Sequence, residues 1–368
     1  VPGREKRLLQ CLTGIRTGAR LTAATATGWL GEAFVLPSET INSPEGQRIV
    51  YQPSGLNNTA RAIGRAGTLE EWQPGMLSAS DPLKFLVCAS LSSAARFPAG
   101  IEAGGFHVYD LTSKGKTTGL QAAASVWGNG VDPAIAGGSE AYVQRWNATA
   151  NALEAMAEGF NDLPMIVDEI GEGDPRQFGQ TIYRITSGSG RARSGRTGDL
   201  RDSKSWRITL LSAGEVRVSD HIRSGGGIVK GGQEVRVPDI DLTAMAPMFG
   251  SRAEADAMKM LCRDHYGHAG PALIERVPDL SAGWNEFDVA LIGPAITQAA
   301  GRVRQRFAFV AFVGQLAVRA GILPWSEEDV LQAVQSAYLA WHDTRDAATE
   351  VERGVLAVRD FILQHDAR

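Results

Sequence analysis

The chain has 368 residues, 43% of them hydrophobic and 21% charged, which is enough apolar material for one large domain or two ordinary ones and too much for a disordered tail. Its three cysteines, Cys11, Cys88 and Cys262, are far apart and form no C-x-x-C pair, which argues against a disulfide framework or a thiolate zinc site and suits a reducing, cytoplasmic compartment. The net charge of −4 is uneven: residues 184–207 carry seven basic residues against two acidic ones, and a basic segment inside an acidic protein suits a polyanionic partner.

Val1 is not a start methionine and no signal-like segment follows, so the chain is expected to be a domain from something longer. Residues 21–52 are rich in Thr, Val and aromatic residues and punctuated by Gly28, Gly31, Pro37 and Pro44, a pattern of short strands and turns. Thr68 with Glu71 forms a capping-box pair ahead of Trp72, and Asp81-Pro82 reads as an N-cap with proline at the first helical position, predicting helices over 68–78 and 82–97. Apolar strands at 105–109, 144–148, 165–168, 207–211 and 234–237 then alternate with helices, the signature of a parallel α/β sheet. The glycines at 225–227 and 231–232 mark a loop. Beyond 251 every strong pattern is helical, near 252–265, 283–300, 302–319, 327–341 and 346–364. The most apolar uncharged run, 307–318, is too short to cross a bilayer, so no membrane partner is expected. The expected organisation is an N-terminal accessory region of short strands and helices (1–97), an α/β core (98–250) and a C-terminal helical lid or bundle (251–368).

The chemistry centres on the turn after the 105–109 strand. Asp110, Leu111, Thr112, Ser113, Lys114, Gly115, Lys116, Thr117 and Thr118 lead into a helix, close to the glycine, four residues, Gly-Lys-Ser/Thr pattern of a phosphate-binding loop. Such a loop turns successive N–H groups inward and adds the positive potential of a helix N-terminus. Lys116 would reach the β and γ phosphates of ATP, and Thr117 would hold Mg²⁺. Asp110 replaces the usual first glycine, and a carboxylate at the mouth of an anion site would weaken binding.

About fifty residues on, Leu163-Pro164-Met165-Ile166-Val167-Asp168-Glu169 is an apolar strand ending in two carboxylates. In Walker B chemistry Asp168 orients the Mg²⁺ shell and Glu169 polarises the attacking water. The strand ending at Ser212 offers a hydroxyl as a first sensor of the γ-phosphate, although a strand-to-helix cap suits Ser212 equally. Between these strands, Arg191, Arg193, Arg196, Arg201 and Lys204 lie on a glycine-turned segment that reads as a β-hairpin able to meet the phosphates of single-stranded DNA, or equally to pair with carboxylates of a neighbouring subunit. Cys262, His265 and His268 recur every three residues, but packing or capping accounts for them better than zinc. Thr149 reads as a helix N-cap.

These residues, together with Gly28-Trp29-Leu30-Gly31, Gly67-Thr68-Leu69-Glu70-Glu71-Trp72, Gly104-Gly105-Phe106-His107, Gly232-Gln233-Glu234-Val235-Arg236 and His265-Tyr266-Gly267-His268-Ala269-Gly270, resemble domain-of-unknown-function family 927 over nearly the whole chain. The resemblance implies an AAA+ P-loop ATPase core related to superfamily-three and MCM-like helicases. It would belong to a mobile genetic element, assemble as a ring, most simply a hexamer, and act beside a primase or loading partner. In such rings an arginine from the neighbour completes the ATP site, for which Arg236 and Arg223 are candidates, and Arg306 is the candidate for a second sensor from the helical lid. The expected activity is ATP-driven translocation on single-stranded DNA. The alternatives are an AAA+ ATPase that remodels protein partners and a nucleotide-binding oligomerisation module with weak turnover.

Overall fold

The computed structural model describes residues 20–53, 58–111, 115–135, 140–190, 193–194, 200–201, 204–229, 231–295, 297–344 and 358–359. The N-terminal strands form two small sheets. Strand β1 (Leu21–Ala24) pairs in parallel with β5 (Arg48–Tyr51), while β2 (Gly28–Leu30), β3 (Ala33–Val35) and β4 (Thr40–Ile41) form an antiparallel meander.

The centre is a five-stranded parallel sheet made of β6 (Gly104–Tyr109), β7 (Gln144–Arg145), β8 (Pro164–Asp168), β11 (Thr209–Gly214) and β12 (Asp239–Asp241). Its spatial order is β12-β6-β11-β8-β7. The last-but-one strand in sequence is thus inserted between the strand that leads toward Gly115 and Lys116 and the strand that ends in the two carboxylates. Strands β9 (Arg193–Ser194) and β10 (Leu200–Arg201) form a separate antiparallel pair between β8 and β11 in the chain.

The eleven α-helices of the described residues are α1 (Leu69–Met76), α2 (Asp81–Ala95), α3 (Lys116–Ser125), α4 (Ala150–Gly159), α5 (Pro175–Ser187), α6 (Val218–Ser224), α7 (Gly231–Arg236), α8 (Arg252–Asp264), α9 (Ala269–Arg276), α10 (Gln298–Arg319) and α11 (Glu327–His342). None is long and apolar enough to cross a membrane. Local chemistry sets their starts. The hydroxyls of Thr68, Thr149 and Ser326 accept from the backbone of the first turns of α1, α4 and α11. The α2 cap is Ser80 rather than Asp81, so Asp81 and Pro82 both lie inside the first turn, where no N–H partner is required.

Alternation along β6 decides what each face buries. Phe106 meets Phe85 of α2 and Phe307 of α10, with ring centroids 5.1 and 4.9 Å apart. The opposite face carries His107 toward Ser212, and on that side Trp146 packs on Phe178 of α5 at 4.7 Å, with His221 of α6 beyond. One continuous hydrophobic core runs from Phe34 and Trp72 through the sheet to Tyr338 and Trp341, so the three segments anticipated from sequence share their interior.

Two expectations are corrected, and one helix is added. Residues 234–237 close a helix rather than form a strand: Pro238 ends α7, and the edge strand begins one residue later. The stretch 283–300 is mostly turns with a short 3-10 segment, Val289–Ile292, because Gly293 (φ 150°) and Pro294 interrupt it before α10 starts at Gln298. No helix is expected from the sequence over α9, which accommodates Pro271 because it occupies the first turn. Gly270 is needed there, since a Cβ would stand 2.5 Å from ring carbons of Trp127. The 346–364 helix lies almost wholly outside the described residues.

Candidate nucleotide site

All five strands being parallel, their C-terminal ends share one edge, where α/β sheets present ligand-binding loops. That edge brings together Lys116, Thr117, Asp168 and Glu169. Gly115 caps α3 in the left-handed region (φ 89°), and a side chain there would strike the Phe249 ring at 2.6 Å. Lys116 Nζ donates to the Asp110 carbonyl at 2.7 Å. Thr117 Oγ1 donates to Asp168 Oδ2 at 2.6 Å, although the two residues are 51 apart in sequence. This hydroxyl and carboxylate form a hard-oxygen pair of the kind that shares the coordination shell of Mg²⁺. Thr118 is buried behind them, whereas Leu111 is 79% exposed on the loop. Thr112, Ser113 and Lys114 lie outside the described residues. Asp110 is buried, so its carboxylate does not stand at the mouth of the loop as the sequence suggested, and it is the Asp110 carbonyl that meets Lys116.

The two carboxylates at the end of β8 have different surroundings. Asp168 is buried and also accepts from Glu169 N at 2.9 Å, which holds Glu169 in the left-handed region (φ 60°). That conformation costs of order 1 kcal/mol for a residue with a Cβ, and it turns Glu169 outward into solvent. Burial, then the negative charges of Asp168, Glu172 and Glu215, raise the Glu169 pKa above the usual carboxylate value, and Arg145 opposes them. Arg145 stands in register with Asp168 on the neighbouring strand, and its guanidinium pairs with Glu172 at 3.1 Å.

Ser212 lies elsewhere. In register with His107 and Val167, it falls short of the open edge and is buried. Trp146 Nε1 donates to its Oγ at 3.0 Å, and its hydroxyl lies 3.0 Å from His107 Nδ1. His107 Nε2 lies 2.9 Å from the Val216 carbonyl and must donate to it, which leaves Nδ1 to accept from Ser212. The hydroxyl's proton and one of its two lone pairs are engaged inside the core, away from the open edge where a γ-phosphate sensor would stand, so the sensor expectation for Ser212 is corrected. Burial pushes His107 down to about 4, so the ring is neutral at physiological pH.

The arginines anticipated at the site divide. Arg306 is buried at the other end of the sheet: it donates to the Val235 carbonyl at 2.7 Å and fills the space beside Gly104, which opens β6. The strand advances about 3.3 Å per residue, so five steps put roughly 16 Å between Gly104 and the end that feeds the loop, and the second-sensor expectation for Arg306 is corrected. Arg236 donates to the Thr186 carbonyl at 3.1 Å and lies over the Tyr183 ring. Arg223 is half exposed and pairs with Asp220 at 2.8 Å. Sequence reasoning missed Arg217, which donates to the Tyr109 hydroxyl at 2.9 Å, while that hydroxyl donates to Asp241 at 3.0 Å. The period-two reading of β6 could have found Tyr109 and His107, which share its polar face.

Arg193 and Arg201 are opposite each other on the β9–β10 pair, and a bridge between Ser189 and Ser205 closes the stem. Arg191 and Arg196 lie outside the described residues. The Lys204 ammonium is paired with Glu158. His265 meets Glu71, His268 meets the Ala66 carbonyl and Cys262 is buried, so each of the three has its own surroundings.

The domain of unknown function DUF927 matches residues 2–205, more than half of the chain. The chain belongs to the DUF927 family. A search of curated proteins finds no match. Among solved structures, one described as "SCCmec type IV Cch - active helicase" is similar with a TM-score of 0.72 at 19% identity, over 98% of this chain and 67% of that chain. At that identity the likeness establishes the shared fold: this DUF927 chain has the architecture of that protein, a parallel sheet flanked by helices with a C-terminal helical region.

Proposed function

We propose that this DUF927 protein is an ATP-driven helicase or translocase of a mobile genetic element, acting on single-stranded DNA as a ring of subunits in replication. The observation that carries the reading is the 2.6 Å bond between Thr117 and Asp168, which joins the phosphate-binding loop to the carboxylate strand. The similar structure's description as an active helicase supports it, as does the hairpin bearing Arg193 and Arg201.

Mg²⁺-ATP would supply the reactive phosphoryl group, and the donor set fits it: a hydroxyl and a carboxylate for the metal, an ammonium and a helix N-terminus for the phosphates. In this reading Lys116 would exchange the Asp110 carbonyl for phosphate oxygens, Thr117 and Asp168 would hold the metal shell, and Glu169, whose raised pKa makes it a stronger base, would accept a proton from the attacking water. Either Arg223 or Arg236 would reach the site of a neighbouring subunit, and Arg191, Arg193, Arg196, Arg201 and Lys204 would line the path of the strand.

The test is ATP hydrolysis with and without single-stranded DNA, beside Lys116→Ala. DNA-stimulated turnover that vanishes in the variant is expected. Turnover indifferent to DNA would overturn the helicase reading in favour of remodelling of protein partners, and nucleotide binding without turnover would favour an oligomerisation module.

A further inference from the structure

At the base of the sheet, the end remote from the loop, a cavity of about 320 Å³ opens between the end of α2, the loop into β6 and the root of the hairpin. Ser93 and Arg96 line it from α2, Ser187 and Gly188 from the end of α5, and Trp206 and Arg207 from the return strand. Ser93 and Arg96 are three apart and so share one helix face. They are 2% and 7% exposed, and among the described residues neither Ser93 Oγ nor Arg96 Nε makes a hydrogen bond. An unmet donor buried in this way costs roughly 1–3 kcal/mol, which makes two on one cavity wall unusual.

The charge is unbalanced in the same place. The cavity's carboxylate, Asp162, is already met by Trp29 N at 2.9 Å and by Arg207 Nε and Nη2 at 2.6 and 2.5 Å. The other Arg96 nitrogens donate to the carbonyls of Ile208 and Ile101 and to the Thr209 hydroxyl, which are neutral groups. Arg306 is buried close by. Desolvation pushes Arg96 down to about 10, with Asp162 opposing the shift and Arg207 adding to it, and pushes Arg306 down to about 9, where Arg96 adds to the shift and Glu102 opposes it.

We propose that this cavity is a phosphate-binding site, with Ser93 Oγ and Arg96 Nε as the donors to a phosphate mono- or diester. The phosphate comes either from a free small molecule or from a nucleic-acid backbone passing the hairpin root. Only the second source rests on the helicase reading.

The test is thermal denaturation in inorganic phosphate against chloride of equal ionic strength, in a Lys116→Ala background that cripples the loop. Arg96 is left intact because it ties α2 to the start of β11, and the variants are Ser93→Ala and Ser93→Asp, the second of which brings its own anion. Saturable stabilisation by phosphate is expected, together with its loss in Ser93→Asp and a higher melting temperature for Ser93→Asp than for Ser93→Ala. Absence of any phosphate-specific stabilisation, or a Ser93→Asp protein that melts below Ser93→Ala while still responding to phosphate, would overturn the proposal. Fluorescence anisotropy with labelled oligo-dT then separates the sources. A several-fold weaker affinity for Ser93→Asp, with a salt slope shallower by about one, assigns a backbone phosphate, and unchanged DNA affinity beside the lost phosphate effect assigns a free one.

Discussion

Replacing Ser212 by alanine separates two roles that a hydroxyl at the end of an apolar strand can play. The hydroxyl accepts from Trp146 and donates to His107, and all three side chains are buried. Its removal leaves an indole N–H and an imidazole nitrogen unmet where water does not reach, each costing roughly 1–3 kcal/mol, so about 3 kcal/mol of destabilisation is expected in total. Equilibrium unfolding in urea, followed by tryptophan fluorescence, should show a lower midpoint with an unchanged slope, because the surface exposed on unfolding is the same. ATP turnover at a temperature where the variant stays folded should be within a few-fold of wild type. Unchanged stability with turnover reduced by two orders of magnitude would refute this reasoning and return Ser212 to the role of a γ-phosphate sensor.

Other outcomes follow from the same geometry. Glu169→Gln should keep nucleotide affinity and lose turnover by 10²-fold or more in single-turnover assays, since only the base is removed. Arg145→Gln takes away a positive charge that opposes the raised pKa of Glu169, so the acidic limb of the kcat–pH profile should move to higher pH. His107, at about 4 in the fold and about 6.5 unfolded, contributes stability that is complete above pH 6.5 and is lost as pH falls toward 4, by up to about 3 kcal/mol. Denaturation of wild type against His107→Gln across that window measures it, with buried carboxylates such as Asp239, pushed up to about 7, cancelling in the difference. Gly270→Ala should cost about 1–3 kcal/mol through overpacking against Trp127, read as a lower melting temperature.

That Thr117 and the carboxylate pair Asp168-Glu169 lie at or just beyond the ends of apolar strands was legible, because each follows an apolar run at a fixed local spacing. The roles of Ser212 and Arg306 were not, because sequence order does not show how far along a strand a residue sits relative to its neighbour. Ser212 is set back beside Val167 by the register of β11 on β8, and Arg306 comes to the wrong end of β6 by the course of a long helix. Tertiary contacts also hid α9, whose glycine and proline are selected by Trp127 and by first-turn geometry rather than by propensity. The clustering of Ser93, Arg96 and Arg207 joins residues more than a hundred apart, for which no local pattern exists.

The strand order has a practical consequence for where this protein can be cut. The family match ends at residue 205, four residues before β11, yet β11 fills the slot between β6 and β8. A fragment stopped at that border would keep Lys116 and both carboxylates but leave β6 and β8, buried strands of six and five residues, with unpaired edges facing each other across a missing neighbour, a template for aggregation. The segment that sequence comparison recognises is therefore expected not to fold by itself, and soluble fragments should extend at least through Asp241, where the last strand of the sheet ends.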